Sequence, residues 1–400
     1  MDFVWIVLGA VIVLVTIIDT FLSVLNYNER GLVVNRAARG VWVLLRSVTR
    51  RLPRRFRQGA LRQVTGLVIV TVILTWLGGV ILGFALIYFG AMGAGAITVE
   101  KGAPEGFWAA LYMSIGQFST VGVENMSSVH PVIDFLTVLQ ALSSVVLVGT
   151  IVTFLLNVFN GIQMLRSLCA DVTRPAEGDA DPLAALAPFF RGGAPTDMER
   201  YLTNTWGDMN LYGDVLRQTR TTYYFQSGDE QFSAPFALIS ISSIVGALRW
   251  GFPVGSTPVA VLPGLFRLEE SLAAARRWIS AEMLHLPQVP APEPVSREDF
   301  EAHLVGAREG RPEADALVAE FEGMCQAVAQ LSISDGDGAA AAIIDPDDVY
   351  RRYVQWLPFG AVSRRFNEAL SRDLDYQPED NLATSAPFTR RGVARALPPA

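Results

Sequence analysis

Three long apolar stretches dominate the first 165 residues of the chain. Residues 3–25 contain a single charged side chain, Asp19, and residues 63–99 and 135–165 contain none. Each stretch exceeds the roughly 20 residues that an α-helix needs to cross the hydrocarbon core of a bilayer. The pattern predicts three transmembrane helices, over 1–26, 64–91 and 131–165.

The segment 27–63, between the first two predicted helices, carries ten arginines against one acid, Glu29. Loops rich in positive charge stay on the cytoplasmic side of a membrane. We therefore expect the N-terminus outside the cell, residues 93–134 facing outside, and the chain after about residue 165 in the cytoplasm. Asp19 is then expected at the cytoplasmic interface, facing the arginine-rich segment.

Within 27–63, apolar residues recur at helical spacing with arginines between them. This pattern predicts an amphipathic helix on the anionic inner leaflet, where each arginine adds about 1 kcal/mol of attraction. We interpret the helix as a topology anchor, with a lipid sensor as the alternative. The apolar positions are Val34, Ala37, Ala38, Val41, Leu45, Val48 and Leu52.

A fourth uncharged run, residues 106–123, does not have the character of a full span. Its last five residues are poor helix formers with Gly122 among them, so we expect a re-entrant half-helix followed by an extended segment over 106–125. Non-helical backbone at membrane depth occurs only where protein buries it or where it lines an aqueous path. The C-terminal dipole of the half-helix and the carbonyl oxygens of the extended segment both favour a cation.

Residues 107–122 resemble the pore helix and selectivity filter of the potassium channel family. The resemblance depends on an aromatic-rich helix, a serine ahead of the filter and a Thr-Val-Gly core, flanked by an apolar helix on each side. It covers about residues 65–165 and implies a homotetramer that conducts K⁺. The implied pore-helix residues are Trp108, Tyr112, Ser114 and Ser119, and the implied filter residues are Thr120, Val121, Gly122 and Val123, with ion coordination by the carbonyls of the first three and by the Thr120 hydroxyl.

The chain departs from the family after the filter core. The family continues with an aromatic residue, a second glycine and an acid, whereas this chain has Val123, Glu124 and Asn125. A glutamate adopts the backbone conformation that the second glycine supplies only at a cost in free energy. Two alternatives therefore stay open, a K⁺-selective pore and a weakly selective pore that also passes Na⁺. In one arrangement Glu124 and Asn125 surround the outer mouth of the pore, where carboxylates favour cations. In the other, Glu124 turns back behind the filter.

The predicted inner helix, 131–165, carries a glycine and several polar residues. Gly149 is a candidate gating hinge, with close helix packing as the alternative. The polar residues fall at separations that place them towards an inner vestibule, or else in polar packing between helices. They are Ser143, Ser144, Thr150, Thr153, Asn157 and Asn160.

The C-terminal part of the chain has a different character, with helical patterns separated by turn-rich segments. We predict a linker over 166–195, a helical cytoplasmic domain over 196–286, a Pro-rich connector over 287–296, a second helical lobe over 297–373 and a disordered tail over 374–400. The predicted helices span 197–220, 232–250, 265–286, 298–307, 311–331 and 346–372. The uncharged run 231–248 is broken by serines and a proline, so we expect a buried or surface-docked helix rather than a fourth span.

Composition supports this division. Hydrophobic residues make up 51% of the chain and charged residues only 18%, against about 25% in soluble domains. Residues 1–164 hold 11 basic and 7 acidic side chains, whereas 165–400 hold 21 and 32. A single soluble globule is excluded, and the acidic overall balance disfavours a strongly basic nucleic-acid binder. The two cysteines have neither disulfide nor metal-site spacing, and no nucleophile or phosphate-binding motif is found.

These observations predict an all-α, multi-pass cell-membrane protein with three transmembrane helices, one re-entrant pore loop and a helical cytoplasmic domain. The expected function is a passive, tetrameric cation channel that needs no cofactor and no metal beyond the permeating ions. We expect neither enzymatic activity nor a nucleic-acid partner. A non-conducting membrane sensor or scaffold that keeps the pore fold is the alternative, followed by a transporter subunit that recruits a soluble partner.

Overall fold

The computed structural model describes residues 2–24, 33–51, 63–100, 106–173, 183–190, 195–227, 230–255, 258–309, 311, 314–333 and 345–376. The described chain is mostly helical, in agreement with the all-α prediction, but it also contains one short two-stranded sheet. It divides into two compact units. The first comprises Met1–Ile162 with Asp214–Gln226, and the second comprises Gln163–Gly213 with Ser227–Ala400.

The first unit is built from long apolar helices around a shorter one. Its elements are α1 (Asp2–Val24), α2 (Val34–Thr49), α3 (Val64–Gly93), β1 (Ile97–Val99), α4 (Phe107–Phe118), β2 (Met126–Ser128) and α5 (Pro131–Thr173), whose last part from Gln163 onward belongs to the second unit. The last helix continues eight residues beyond its predicted end, because Leu168, Cys169 and Val172 extend its buried stripe. The first part of the predicted linker 166–195 is therefore helical.

Helices α1 and α3 pack antiparallel through small residues. The backbone of Gly83 lies against Gly9 and Val13 of α1, and Gly79 lies against Thr16, so that a Cβ atom at either glycine would collide with α1. Small residues let the backbones of two helices approach closely, which is the usual way that helices associate in a membrane. The first 24 residues are therefore held against α3 along most of their length.

Asp19 contacts the arginine-rich segment, as we expected, through a backbone N–H of that segment. Its carboxylate is buried and accepts hydrogen bonds from the indole N–H of Trp76, at 3.1 Å, and from the backbone N–H of Val33, at 2.7 Å. Val33 immediately precedes α2, so Asp19 connects the start of α2 to α1 and α3. Burial without such partners would be costly for a carboxylate, and two donors offset that cost.

The predicted amphipathic helix is present as α2, which packs one side against the rest of the first unit and leaves the other side exposed. Ala38 and Trp42 are buried, with Trp42 packed 5.8 Å from the ring of Tyr224, whereas Val43 and Val48 are exposed. Residues 52–62, which carry the remaining arginines before Gln63, lie outside the described residues.

The second unit contains the six helices predicted for the C-terminal half, one further short helix that was not predicted, and several short turns. The helices are α6 (Ala187–Phe190), α7 (Pro195–Gln218), α8 (Ala234–Gly246), α9 (Pro263–Ile279), α10 (Arg297–Arg308), α11 (Ala316–Ile333) and α12 (Pro346–Asp373), with α7 ending in the first unit. The shorter turns are Ala184–Leu186, Arg220–Tyr224, Glu230–Phe232, Ala247–Gly251, Pro258–Val261 and Ser280–Leu284, of which Arg220–Tyr224 belongs to the first unit. Residues on both sides of the Pro-rich connector form one compact unit rather than two lobes, because helices from both sides cover the apolar α8.

Among the described residues, four helices are long and apolar enough to cross a membrane. In Asp2–Val24, Val64–Gly93 and Pro131–Thr173, between 22% and 33% of the most apolar window is buried inside the protein. In Ala234–Gly251 the figure is 89%, so the predicted burial of this helix is confirmed. Leu374 and Tyr376 of the predicted tail are buried as well, and residues 377–400 lie outside the described residues.

Candidate functional site

The predicted site lies on α4 and the segment that follows it. Helix α4 ends at Phe118, and residues 119–125 are not helical, in agreement with a half-helix followed by irregular backbone. Strand β1 precedes α4 and β2 follows residue 125, and the two pair antiparallel with Ile97 opposite Ser128. The Glu100 N–H also donates to the Asn125 carbonyl at 3.1 Å. The chain therefore enters and leaves this segment at the same end of the unit.

A buried polar network holds α4 between α3 and α5. The Tyr88 hydroxyl of α3 donates to Oε1 of Gln140 on α5 at 2.7 Å, and Nε2 of Gln140 donates to the carbonyl and the hydroxyl of Ser114 at 3.0 and 2.9 Å. The Ser114 hydroxyl in turn donates to the Ile81 carbonyl at 2.7 Å. All three side chains are inaccessible to solvent. Because every member has a partner, the network fixes three helices in one register.

Sequence analysis selected Ser114 but missed Tyr88 and Gln140. The available signal was that each is a hydrogen-bonding side chain within a long uncharged run, 63–99 or 135–165. Such residues are rare in membrane helices and usually find partners inside the bundle.

One face of α4 packs in the chain and the opposite face does not. Ala109, Ala110 and Met113 are buried against the rest of the first unit. Trp108 and Tyr112 project from the other face and are 71% and 47% exposed. An exposed apolar aromatic face of this kind is typical of a surface that another protein chain or a membrane covers.

The predicted filter segment folds back beside the C-terminus of α4. The Gly122 N–H donates to the Gly116 carbonyl at 3.1 Å, and a Cβ atom at Gly116 would collide with Val123. Gly116 is therefore needed for this close approach, although sequence analysis did not select it. The hydroxyl of Ser119 donates to the same Gly116 carbonyl at 3.0 Å.

The backbone of the segment is not the plain extended strand that we expected. Thr120 has a φ of 60° and Gly122 a φ of 78°, so both lie in the left-handed region. Glycine adopts this region freely, but for a β-branched residue it is an outlier that costs about 1–3 kcal/mol. Thr120 and Val121 are both exposed, and Val121 retains 84% of its accessible surface. Strain at an exposed residue with no packing role points to function.

The side chain of Glu124 is exposed and makes no hydrogen bond or ion pair with any described residue. The arrangement in which Glu124 turns back behind the filter is therefore not seen among those residues. Asn125 is half-buried, and its side-chain oxygen has no hydrogen-bond partner in the part of the chain that the structure describes.

Helix α5 places its small and polar residues unevenly. A Cβ atom at Gly149 would meet nothing within 4 Å, so close packing at Gly149 is not found among the described residues. The Thr153 hydroxyl donates to the Gly149 carbonyl at 3.1 Å, a bond that favours bending of a helix. Thr153 and Asn160 are exposed on the same flank as Gly149, whereas Ser144 is buried and does not belong to the predicted vestibule stripe.

The other members of the predicted stripe, Ser143, Thr150 and Asn157, are half-buried beside this flank. Exposed apolar residues adjoin these positions, and Val145 and Leu156, which lie four and seven residues from Gly149, share its face.

No family model, curated protein or solved structure matches the chain. Function must therefore be inferred from the residues and their geometry. Within the described ranges, no group of three or more His, Cys, Asp or Glu side chains is placed to hold a metal ion.

Proposed function

We propose that the chain is the pore-forming subunit of a cation channel. In this proposal α1, α3 and the first part of α5 cross the cell membrane, and α4 enters it as a half-helix whose chain returns through residues 119–125. The observation that carries the proposal is the combination of a short helix locked by buried hydrogen bonds with a strained, exposed Thr120 directly after its end. The pairing of β1 with β2 supports the re-entrant course.

The chemistry of this segment suits a dehydrated cation. The C-terminus of α4 presents the negative end of its dipole to the following residues. Carbonyl oxygens of Thr120, Val121 and Gly122, with the Thr120 hydroxyl, can replace part of the hydration shell of a monovalent cation. K⁺ is the ion that the resemblance to potassium channels implies. Glu124, unpaired among the described residues, would add negative charge at the outer mouth.

A pore requires several copies of the chain, because one subunit supplies only one such segment. The exposed α4 face with Trp108 and Tyr112 offers a surface for a second copy. The α5 flank with Gly149, Thr153 and Asn160 would line the inner vestibule. The homotetramer is implied by the family resemblance.

The arginines of 27–63 orient the proposed channel with that segment in the cytoplasm. The N-terminus then lies outside, and the second unit is cytoplasmic. Because Ala234–Gly251 is buried in its own unit, we do not count it among the spans. The exposed Val43 and Val48, next to the arginines of α2, suit a helix at the inner leaflet.

Purified protein in planar bilayers tests the proposal. With KCl on one side and NaCl on the other, we expect single-channel currents whose reversal potential reports the K⁺ to Na⁺ permeability ratio. Gly122→Val should abolish conduction, because valine does not tolerate the positive φ of Gly122. Gly78→Ala is the matched control, since a Cβ atom there meets nothing within 4 Å. Silence of the wild-type chain at all voltages would favour the non-conducting scaffold.

A further inference from the structure

A large cavity lies in the second unit, beneath the Pro-rich connector. It has a volume of about 810 Å³, within the range of small-molecule sites. Helices α9 and α12 form its floor, and residues 286–292 pass over it. This segment is anchored at both ends, because the Leu286 N–H donates to the Ser280 carbonyl at 2.9 Å and the Tyr350 hydroxyl donates to the Val295 carbonyl at 2.9 Å.

Arg276 is the most unusual residue in the lining. Its side chain is 5% exposed, and Nη1 donates to the Ser363 hydroxyl at 2.6 Å. Its Nε and Nη2 groups are buried, and no described residue accepts a hydrogen bond from them. The guanidinium lies 4.6 Å from the centre of the Phe359 ring, which attracts the charge but supplies no acceptor oxygen. Burial lowers the pKa of Arg276 to about 9, so it remains charged at neutral pH.

Two further arginines, Arg277 and Arg365, line the cavity among aliphatic, proline and aromatic side chains. The one acid among the lining residues, Glu269, lies 3.8 Å from Arg249 and also favours the charged form of Arg276, but it accepts no hydrogen bond from Arg276. Trp250 stands beside Phe359, with ring centres 4.9 Å apart. A buried arginine that lacks acceptors is costly, and an unsatisfied buried group in a native protein calls for a missing partner.

We propose that this cavity binds a soluble organic anion, a carboxylate or phosphate carried on a flat apolar body. The oxyanion would accept hydrogen bonds from the Arg276 guanidinium, whose planar fork matches both groups. The apolar body would lie against Trp250 and Phe359, under the connector. The cytoplasmic unit is thereby a ligand-binding module, and this inference does not depend on conduction through the first unit.

Calorimetric titration of the full-length protein in phosphatidylcholine nanodiscs tests the site. The probes are 2-naphthoate, 2-naphthyl phosphate and the neutral 2-naphthalenemethanol, each corrected with empty nanodiscs. We expect at least one anion to bind, and the neutral probe to bind at least tenfold more weakly, which corresponds to about 1.4 kcal/mol. Comparable affinities for the neutral probe and both anions, or no binding of either anion, would overturn the proposal.

Variants locate the binding. Arg276→Gln should weaken binding of the anion at least tenfold. Arg365→Gln should weaken it about threefold, because Arg365 is half-exposed. Arg200→Gln, at an arginine that is 74% exposed on α7, is the control and should bind as the wild type. If Arg276→Gln does not fold, Ala361→Trp fills the cavity from its floor and should abolish binding. Wild-type affinity in a folded Arg276→Gln or Ala361→Trp protein would refute the assignment.

Discussion

Replacing Gln140 with leucine removes the centre of the network that holds α4. Gln140 donates two hydrogen bonds to Ser114 and accepts one from Tyr88. The substitution leaves the Tyr88 hydroxyl and the Ser114 carbonyl buried without these partners. A buried polar group that loses its partner costs about 1–3 kcal/mol, although side-chain hydrogen bonds between membrane helices average only about 0.6 kcal/mol. We therefore expect Gln140→Leu to lower the free energy of unfolding by about 1–4 kcal/mol.

The measurement is unfolding in mixed micelles of increasing SDS fraction, followed by circular dichroism. Ser143→Ala on the same helix is the matched control, because the Ser143 hydroxyl donates only to the Gln140 carbonyl of its own helix, at 2.8 Å. We expect its effect to stay within about 0.5 kcal/mol. Tyr88→Phe combined with Gln140→Leu should cost less than the sum of the single changes, since the double variant leaves no unpaired hydroxyl.

Strict additivity of Tyr88→Phe and Gln140→Leu would refute this account. It would mean that the two side chains stabilise the fold independently, whatever their distance. Unchanged unfolding of Gln140→Leu would refute it more simply, since α4 would then be held by its apolar contacts alone.

Three further outcomes are expected. Gly83→Leu should lower the free energy of unfolding by about 1–3 kcal/mol or more in the same SDS titration, because the added side chain would collide with α1. Gly78→Ala should leave the free energy of unfolding unchanged, because its Cβ atom meets open space, and equal effects of the two changes would contradict the α1–α3 packing. Thr120→Gly should raise the midpoint of thermal unfolding, because it relieves about 1 kcal/mol of backbone strain. Ser119→Gly, at a residue with negative φ, should lower the midpoint, and a lower midpoint in both variants would argue against strain at Thr120. Burial raises the pKa of Glu320 to about 7, so the stability of the second unit should fall as the pH rises from about 4.5 to 7 and then level off. Glu320→Gln should remove this pH dependence in thermal unfolding, and an unchanged pH dependence would contradict the prediction.

The helices were predictable because their signals are local. Apolar runs of membrane length coincide with α1, α3 and most of α5. The predicted helix 346–372 is found as α12, and the Asp345 side chain caps it by accepting a hydrogen bond from the Asp347 N–H at 3.0 Å. The irregular backbone after α4 followed from poor helix formers around Gly122 in the same way. Strands β1 and β2 were missed, since three residues are too few to show an alternating pattern.

The interactions that fix the site were not predictable, because their partners are far apart in sequence. Tyr88 and Gln140 are 52 residues apart, and Gln140 and Ser114 are 26 apart. The hydrogen bond between Asp19 and Trp76 was missed for the same reason, since the two residues are 57 positions apart. A sequence read one segment at a time shows that a polar residue is isolated, but not which other segment supplies its donor or acceptor.

The locked helix and the strained threonine depend on each other energetically. A left-handed Thr120 costs about 1–3 kcal/mol, and a free loop would relax to remove that cost. The loop cannot relax, because Ser114 holds α4 from one side and the Gly122 N–H is bound to Gly116 on the other. Three inter-helix hydrogen bonds around Gln140, at about 0.6 kcal/mol or more each, are of the right size to offset the strain. Conformational strain at Thr120 therefore requires the rigidity that the hydrogen bonds of Ser114 give to α4.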